Sequence, residues 1–220
     1  MSAVSEIVLV RHGQASFGTD DYDRLSALGQ EQATWLGEYM LAHDICADRV
    51  VHGGLRRQRE TAEGILSVIG DHPREVDPRV DEFHYFELEQ EYVRNTGADA
   101  ATCRADFLTL FPRIYVEWAD GRITGGGESF PAFEARVSAV LDQAIARGGT
   151  TLVVTSGGVI GMALRRVLGL GTRATAEVLL NIHNASVHRL EWEGGRLGLS
   201  LFNASPHLDP ADRVHARTYV

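Results

Sequence analysis

The sequence predicts an α/β fold: a three-layer sandwich with a mostly parallel central sheet, helices on both faces, a helical lid insertion and an antiparallel edge hairpin. Three observations predict it. Short β-branched runs alternate with helical stretches, three of those runs end in polar or glycine-rich turns, and the C-terminal region alternates apolar and polar residues with period two.

The first run, Glu6 to Val10, ends abruptly at Arg11-His12-Gly13, as a buried parallel strand reads. Ser26 can cap a following helix in which Leu28, Trp35, Leu36, Tyr39 and Met40 share one face. The unit repeats with Arg49 to His52 as strand, Gly53-Gly54 as turn and Leu55 to Ile69 as helix, with Ala62, Ile65, Leu66 and Ile69 inward. Later, Ser129 and Pro131 open a helix stopped by Gly148-Gly149. Thr151 to Thr155 is another buried strand, and Gly158 to Leu168 another helix. Val187 to Trp192 and Arg196 to Phe202 flank Gly194-Gly195 as a hairpin on the sheet edge. Between Phe83 and Gly127 aromatics and arginines mix without a clean period, which we read as the insertion or lid, its side chains mostly packing.

The 220 residues suffice for one domain, and we read residues 1–220 as one, with the lid at about 83–127. A net charge of -9 argues against nucleic acid as a partner, because backbone binding needs clustered cations. Every cation of the 21 is arginine, a usage that suits phosphate but also follows from genomic bias. Cys46 and Cys103 stand far apart without ligand spacing, so neither a disulfide framework nor a zinc site is expected, and the default setting is cytoplasmic. No apolar run is long enough for a membrane span, and a soluble protein is expected. The apolar hairpin edge permits a homodimer without requiring one.

Three strands thus end in turns that should converge, because open α/β sheets bind ligands at the carboxyl ends of their strands. Arg11 and Arg57 are fork donors suited to phosphate oxygens, and the turns after His52 and Ser156 offer helix N-termini that favour anions. His12 beside that clamp can attack phosphorus. A carboxyl group is needed to protonate the leaving alkoxide and later to activate water; Glu82 is the first candidate, with Asp81 and Glu87 as rivals.

In this order the motifs resemble the histidine phosphatase superfamily, the phosphoglycerate-mutase-like family. LVRHGQ (Leu9 to Gln14) is similar to its signature turn and LSALGQEQA (Leu25 to Ala33) to "LTxxGxxQA". LRRQRETA (Leu55 to Ala62) is similar to "LxRAxxTA", GGESF (Gly126 to Phe130) to the "GES" helix start, and VVTSGGVI (Val153 to Ile160) to "VVSHGGVI". The resemblance implies a phosphohistidine on His12, a clamp from Arg11 and Arg57, Glu82 as acid/base, and no metal or organic cofactor. A phosphorylated small molecule is the implied partner, and a phosphoprotein offers the same phosphoryl end.

The sequence departs from the pattern where Ser156 replaces the second active-site histidine. Losing one such donor costs on the order of 10²–10³ in rate. Ser156 and Gly157 can still donate from the helix N-terminus, and His52 or His183 can be imagined in the gap. Gly18 stands for an expected asparagine, and Gly53-Gly54 for the usual Ser-Pro. Gly13 and Gln14 belong to the signature turn, and Glu128 is read either as an arginine-orienting carboxylate or as a second acid. Phosphomonoester hydrolysis is therefore the expected activity. A phosphoglycerate-type mutase and a weakly active or inactive phosphate-ester binding module are the alternatives.

Overall fold

The computed structural model describes residues 5–16 and 23–219. Gly18 lies outside them. In chain order the elements are β1 (Ser5–Arg11), α1 (Ala27–Ala42), β2 (Arg49–His52), α2 (Arg56–Ile69), β3 (Arg74–Val76), α3 (Tyr85–Thr96), α4 (Arg104–Ala119), α5 (Phe130–Arg147), β4 (Gly149–Thr155), α6 (Gly157–Leu168), α7 (Thr172–Leu179), β5 (Val187–Glu193) and β6 (Arg196–Ala204). The sheet order is β3-β2-β4-β1-β5-β6. Its first four strands run parallel, β5 lies antiparallel to β1, and β6 closes the edge as the expected hairpin. Among the described residues no helix is long and apolar enough to cross a membrane.

Alternation along the central strands divides the core into two layers, because successive side chains leave a strand on opposite faces. Ile7, Leu9, Val51 and Val153 face one side, where α4 to α7 supply Ile114, Trp118, Phe133, Ile160 and Leu179. Val8, Val10, Val50, Leu152 and Val154 face the other, against Leu36 and Met40 of α1 and Ala62 and Ile65 of α2. Both faces of the parallel strands are thereby covered, and in such sheets the carboxyl ends of the strands are where polar chemistry gathers.

The segment from Phe83 to Gly127 contains α3 and α4. Phe83, Phe111, Tyr115 and Trp118 are buried together, with Phe83 stacked on Trp118 at 4.9 Å between ring centroids. Each such side chain contributes about 1.5–3 kcal/mol by burial, so the inner face of α4 belongs to the core.

Several details differ from the sequence reading. The buried face of α1 is Gly29, Gln32, Ala33, Leu36, Gly37 and Met40; Leu28, Trp35 and Tyr39 lie at its half-buried margin. Close helix contact is the reason: a Cβ at Gly37 would stand 2.9 Å from the Ile65 carbonyl oxygen in α2, so small residues rather than large ones face inward. The strand β3 and the helix α7 were not expected. β3 has three residues, of which Arg74 and Val76 are exposed, and α7 has eight, too few for a period to register in sequence.

Candidate active site

β1 delivers His12 to the carboxyl edge of the sheet. Its N–H donates to the Thr155 carbonyl at the end of β4 (2.8 Å), and its own carbonyl accepts from Ala185 N–H (3.2 Å) and the Asn184 amide (3.3 Å). The ring is 6% exposed. Arg57 Nε donates to His12 Nε2 at 3.1 Å, and Nδ1 lies 2.7 Å from the Gly13 carbonyl oxygen. A guanidinium can only donate, so Nε2 carries the lone pair and Nδ1 the proton. Burial first, then the charges of Arg57 and Arg11, hold the imidazole pKa well below its ordinary value and keep the ring neutral.

The turn after His12 is fixed by neighbours from two helices, α1 and α2. Gly13 N–H donates to Thr61 Oγ1 (3.0 Å), and Thr61 donates to the Arg57 carbonyl (2.7 Å). Gln14 N–H donates to Gln32 Oε1 (2.7 Å), while the Gln14 side chain accepts from Ser26, the residue that caps α1. Gly13 and Gly29 touch backbone to backbone: a Cβ on Gly29 would fall 2.1 Å from the Gln14 carbonyl oxygen, and one on Gly13 would fall 2.4 Å from that of Gly29. Glycine at both positions lets α1 press against the turn. Gly13 and Gln14 are therefore turn-forming residues.

Two guanidinium groups flank the imidazole. Arg57, 9% exposed in the first turn of α2, also pairs with Asp23 at 2.6 Å, and Asp23 accepts from the first N–H of α2. Arg11 donates to the Ile182 carbonyl and passes close to Gly157, where a Cβ would stand 3.8 Å from Arg11 Nε. Arg57 thus touches His12, and the charge of Arg11, which lies beside the N-terminus of α6, acts on it.

Glu82 lies within the reach of the same two guanidinium charges. Gly158 N–H donates to Glu82 Oε2 (3.0 Å) and Phe83 N–H to Oε1 (3.2 Å). Burial raises the Glu82 pKa, against the opposing pull of the Gly158 hydrogen bond and the Arg57 charge. A Cβ on Gly158 would lie 2.0 Å from Glu82 Oε1, so glycine is required for the carboxyl group to sit there. The rival carboxylates are elsewhere engaged: Asp81 accepts from Gly54 N–H (2.6 Å), and Glu87 is exposed beside His84. Glu128 stands apart and binds Arg136 through both oxygens (2.7 and 3.0 Å), which in turn donates to the Arg79 and Asp81 carbonyls (2.6 and 2.8 Å). It acts as an arginine-orienting carboxylate for the chain that carries Glu82.

Ser156 occupies the N-cap position of α6, but its side chain makes no cap hydrogen bond. It is 0% exposed, and its hydroxyl accepts from Gln58 Nε2 at 2.8 Å. The hydroxyl is thus engaged by Gln58, while the following residue, Gly157, lies beside Arg11. His52 ends β2 across β4 from His12, nearly buried, with Nδ1 2.7 Å from the Gly53 carbonyl, and no hydrogen bond joins it to His12 or Ser156. His183 lies edge-on to Tyr219 at 4.7 Å, and burial with the Arg217 and Arg11 charges lowers its pKa.

Sequence reasoning missed Asp23, Gln32, Gln58, Thr61, Arg136 and Asn184. Gln32, Gln58 and Thr61 stand inside quoted motifs, the sole signal available. Gln32 also donates to the Ala216 carbonyl (2.6 Å) and Thr218 Oγ1 (3.1 Å), and Asn184 N–H donates to the Thr218 carbonyl (2.8 Å), so the C-terminal segment braces the His12 turn.

A family model described as "Histidine phosphatase superfamily (branch 1)" matches residues 7–205. Solved structures share the fold. A phosphoglycerate mutase from Bacillus anthracis aligns with a TM-score of 0.72 at 20% identity, covering 94% of this chain and 96% of that one. A mycobacterial glucosyl-3-phosphoglycerate phosphatase gives 0.68 at 23%, covering 92% and 100%. A phosphoserine phosphatase mutant from Entamoeba histolytica, in complex with phosphoserine, gives 0.67 at 17%, covering 92% and 98%. No curated protein matches the sequence.

Proposed function

The chain belongs to the histidine phosphatase superfamily, and from that membership we propose that it hydrolyses a phosphate monoester through a phosphohistidine on His12. The observation that carries the proposal is the unprotonated Nε2 of a buried, neutral His12, held 3.1 Å from the Arg57 guanidinium. An imidazole lone pair inside a cationic clamp is a nucleophile aimed at an anion.

In the first step Nε2 attacks phosphorus and the ester P–O bond breaks. Arg11, Arg57 and the α6 N-terminus stabilise charge on the non-bridging oxygens, and Glu82, whose hold on its proton burial strengthens, gives that proton to the departing alkoxide. In the second step the Glu82 carboxylate takes a proton from water as the water oxygen attacks phosphorus, the N–P bond breaks, and Nε2 regains its lone pair. The proton supply from Glu82 accounts for about 10²–10⁴ in rate. A phosphorylated small molecule is the proposed substrate class. The mycobacterial neighbour, a glucosyl-3-phosphoglycerate phosphatase, and the amoebal phosphoserine phosphatase support that choice.

The test is orthophosphate release over a panel of phosphorylated metabolites by wild type and His12→Ala. Hydrolysis of at least one ester, reduced about 10³-fold or more in His12→Ala, is expected. Undiminished turnover by the variant would reject the mechanism, and binding without hydrolysis across the panel would favour a binding module.

A further inference from the structure

Three positions that depart from the family pattern meet in one buried contact. Ser156 stands for histidine in VVSHGGVI, Gly53 for the serine before Leu55, and Gln58 for alanine in LxRAxxTA. Gln58 and Ser156 are both 0% exposed. Gln58 Nε2 donates to Ser156 Oγ at 2.8 Å and to the Val80 carbonyl at 3.2 Å. A Cβ on Gly53 would lie 1.9 Å from Gln58 Oε1, 2.2 Å from Asp81 Oδ1 and 2.9 Å from Gln58 Cδ, so the amide, together with the Asp81 carboxylate, uses the space a side chain at 53 would need. A larger residue at 58 is thus matched by smaller ones at 53 and 156.

The amide serves for more than volume. Gln58 Oε1 is buried without a hydrogen-bond partner, a penalty that an apolar side chain of the same size would avoid. Turning the amide over would set that oxygen against the Val80 carbonyl, so the observed orientation is the one that its neighbours accept. Each contact of the amide adjoins a site group: Gln58 follows Arg57, Ser156 precedes Gly157, and Val80 lies two residues before Glu82.

We propose that Gln58 is a positioning residue which, paired with Ser156, fills the place of the missing second imidazole and holds α2, the Glu82 segment and the α6 N-terminus in register. The phosphoryl site then runs on one imidazole. For its kinetic consequences the inference rests on the phosphatase reading; for the pairing itself it does not.

The test compares wild type, Gln58→Met, Gln58→Ala, Ser156→His and Gln58→Ala/Ser156→His by thermal denaturation, orthophosphate affinity against pH, and steady-state kinetics. Gln58→Met keeps the volume and loses the donors. It should remain folded, with kcat lowered about 10-fold for esters of poor leaving groups and KM changed less than about twofold. Ser156→His alone should be destabilised because its ring meets Gln58. The double variant should melt above both single variants, and its orthophosphate affinity should show, beyond the second ionisation of phosphate common to all variants, a further titration step that wild type lacks. Gln58→Met with wild-type kcat, or additive effects in the double variant, would overturn the proposal. Melting and orthophosphate binding need no turnover. A chain that hydrolyses nothing would therefore defeat the phosphatase reading while the pairing is still decided by coupling in those two measurements.

Discussion

His12 meets two demands with two separate ring atoms. Nδ1 is committed to the Gly13 carbonyl, which fixes the ring plane, while Nε2 keeps its lone pair toward Arg57. Glu82 has the opposite task, and its environment favours the opposite form: burial discourages the carboxylate just as it discourages the imidazolium. The two shifts define the activity window. Rate should rise with pH as His12 loses its proton, at a pH well below the ordinary imidazole value, and fall again as Glu82 loses its own, above the ordinary carboxyl value. Glu82→Gln should abolish the falling limb and slow alkyl phosphates by about 10²–10⁴, while aryl phosphates with acidic leaving groups lose far less. Equal losses for both classes in steady-state assays would show that Glu82 does not supply the leaving-group proton.

At the scale of elements, the site is precise because helices press against the turns that carry it. α1 approaches the His12 turn so closely that Gly29→Ala would drive a methyl group into the Gln14 carbonyl oxygen, 2.1 Å from the added atom. The expected cost is about 1–3 kcal/mol in chemical denaturation, with activity reduced beyond that loss because Gly13 and Gln14 shift together. An unchanged midpoint would mean that the turn yields freely. Strand, turn and helix units were legible in the sequence because burial on both faces writes β-branched runs, and caps such as Ser26 and Ser129 write helix starts. β3 and α7 were not, being too short or too exposed to leave a period. The clustering of His12, Arg11 and Arg57 followed from strand ends converging, whereas Glu82 was chosen among neighbouring carboxylates by the chemistry required and by the family resemblance. The partners of those residues did not follow: Gln58 meets Ser156 across 98 positions and Gln32 meets Ala216 across 184, distances at which no local pattern records a contact.

Over the whole molecule, buried imidazoles contribute to the response to acid above the range in which carboxylates titrate. His12, His188 and His207 are nearly or fully buried, and burial is the first cause that lowers each pKa, to about 3 for His188 and about 4 for His207. In the unfolded chain each takes a proton near 6.5, so the unfolded state binds more protons below that pH. Their contribution to stability is complete above the unfolded value and is lost progressively as pH falls toward the folded values. Glu82, with a raised pKa, works with the opposite sign and offsets part of the slope. The melting temperature should therefore fall from about pH 7 to about pH 5, with net proton uptake on unfolding measured in buffers of different ionisation enthalpy. A flat melting temperature over that range would contradict the neutral burial of these rings.

The most direct examination of the central claim is rapid-quench peptide mapping of the enzyme during turnover of its best ester. The account predicts acid-labile, base-stable phosphate on the peptide containing His12, formed and discharged at the rate of turnover and missing in His12→Ala. Full turnover with no phosphate on that peptide, or with phosphate on another residue, would contradict it.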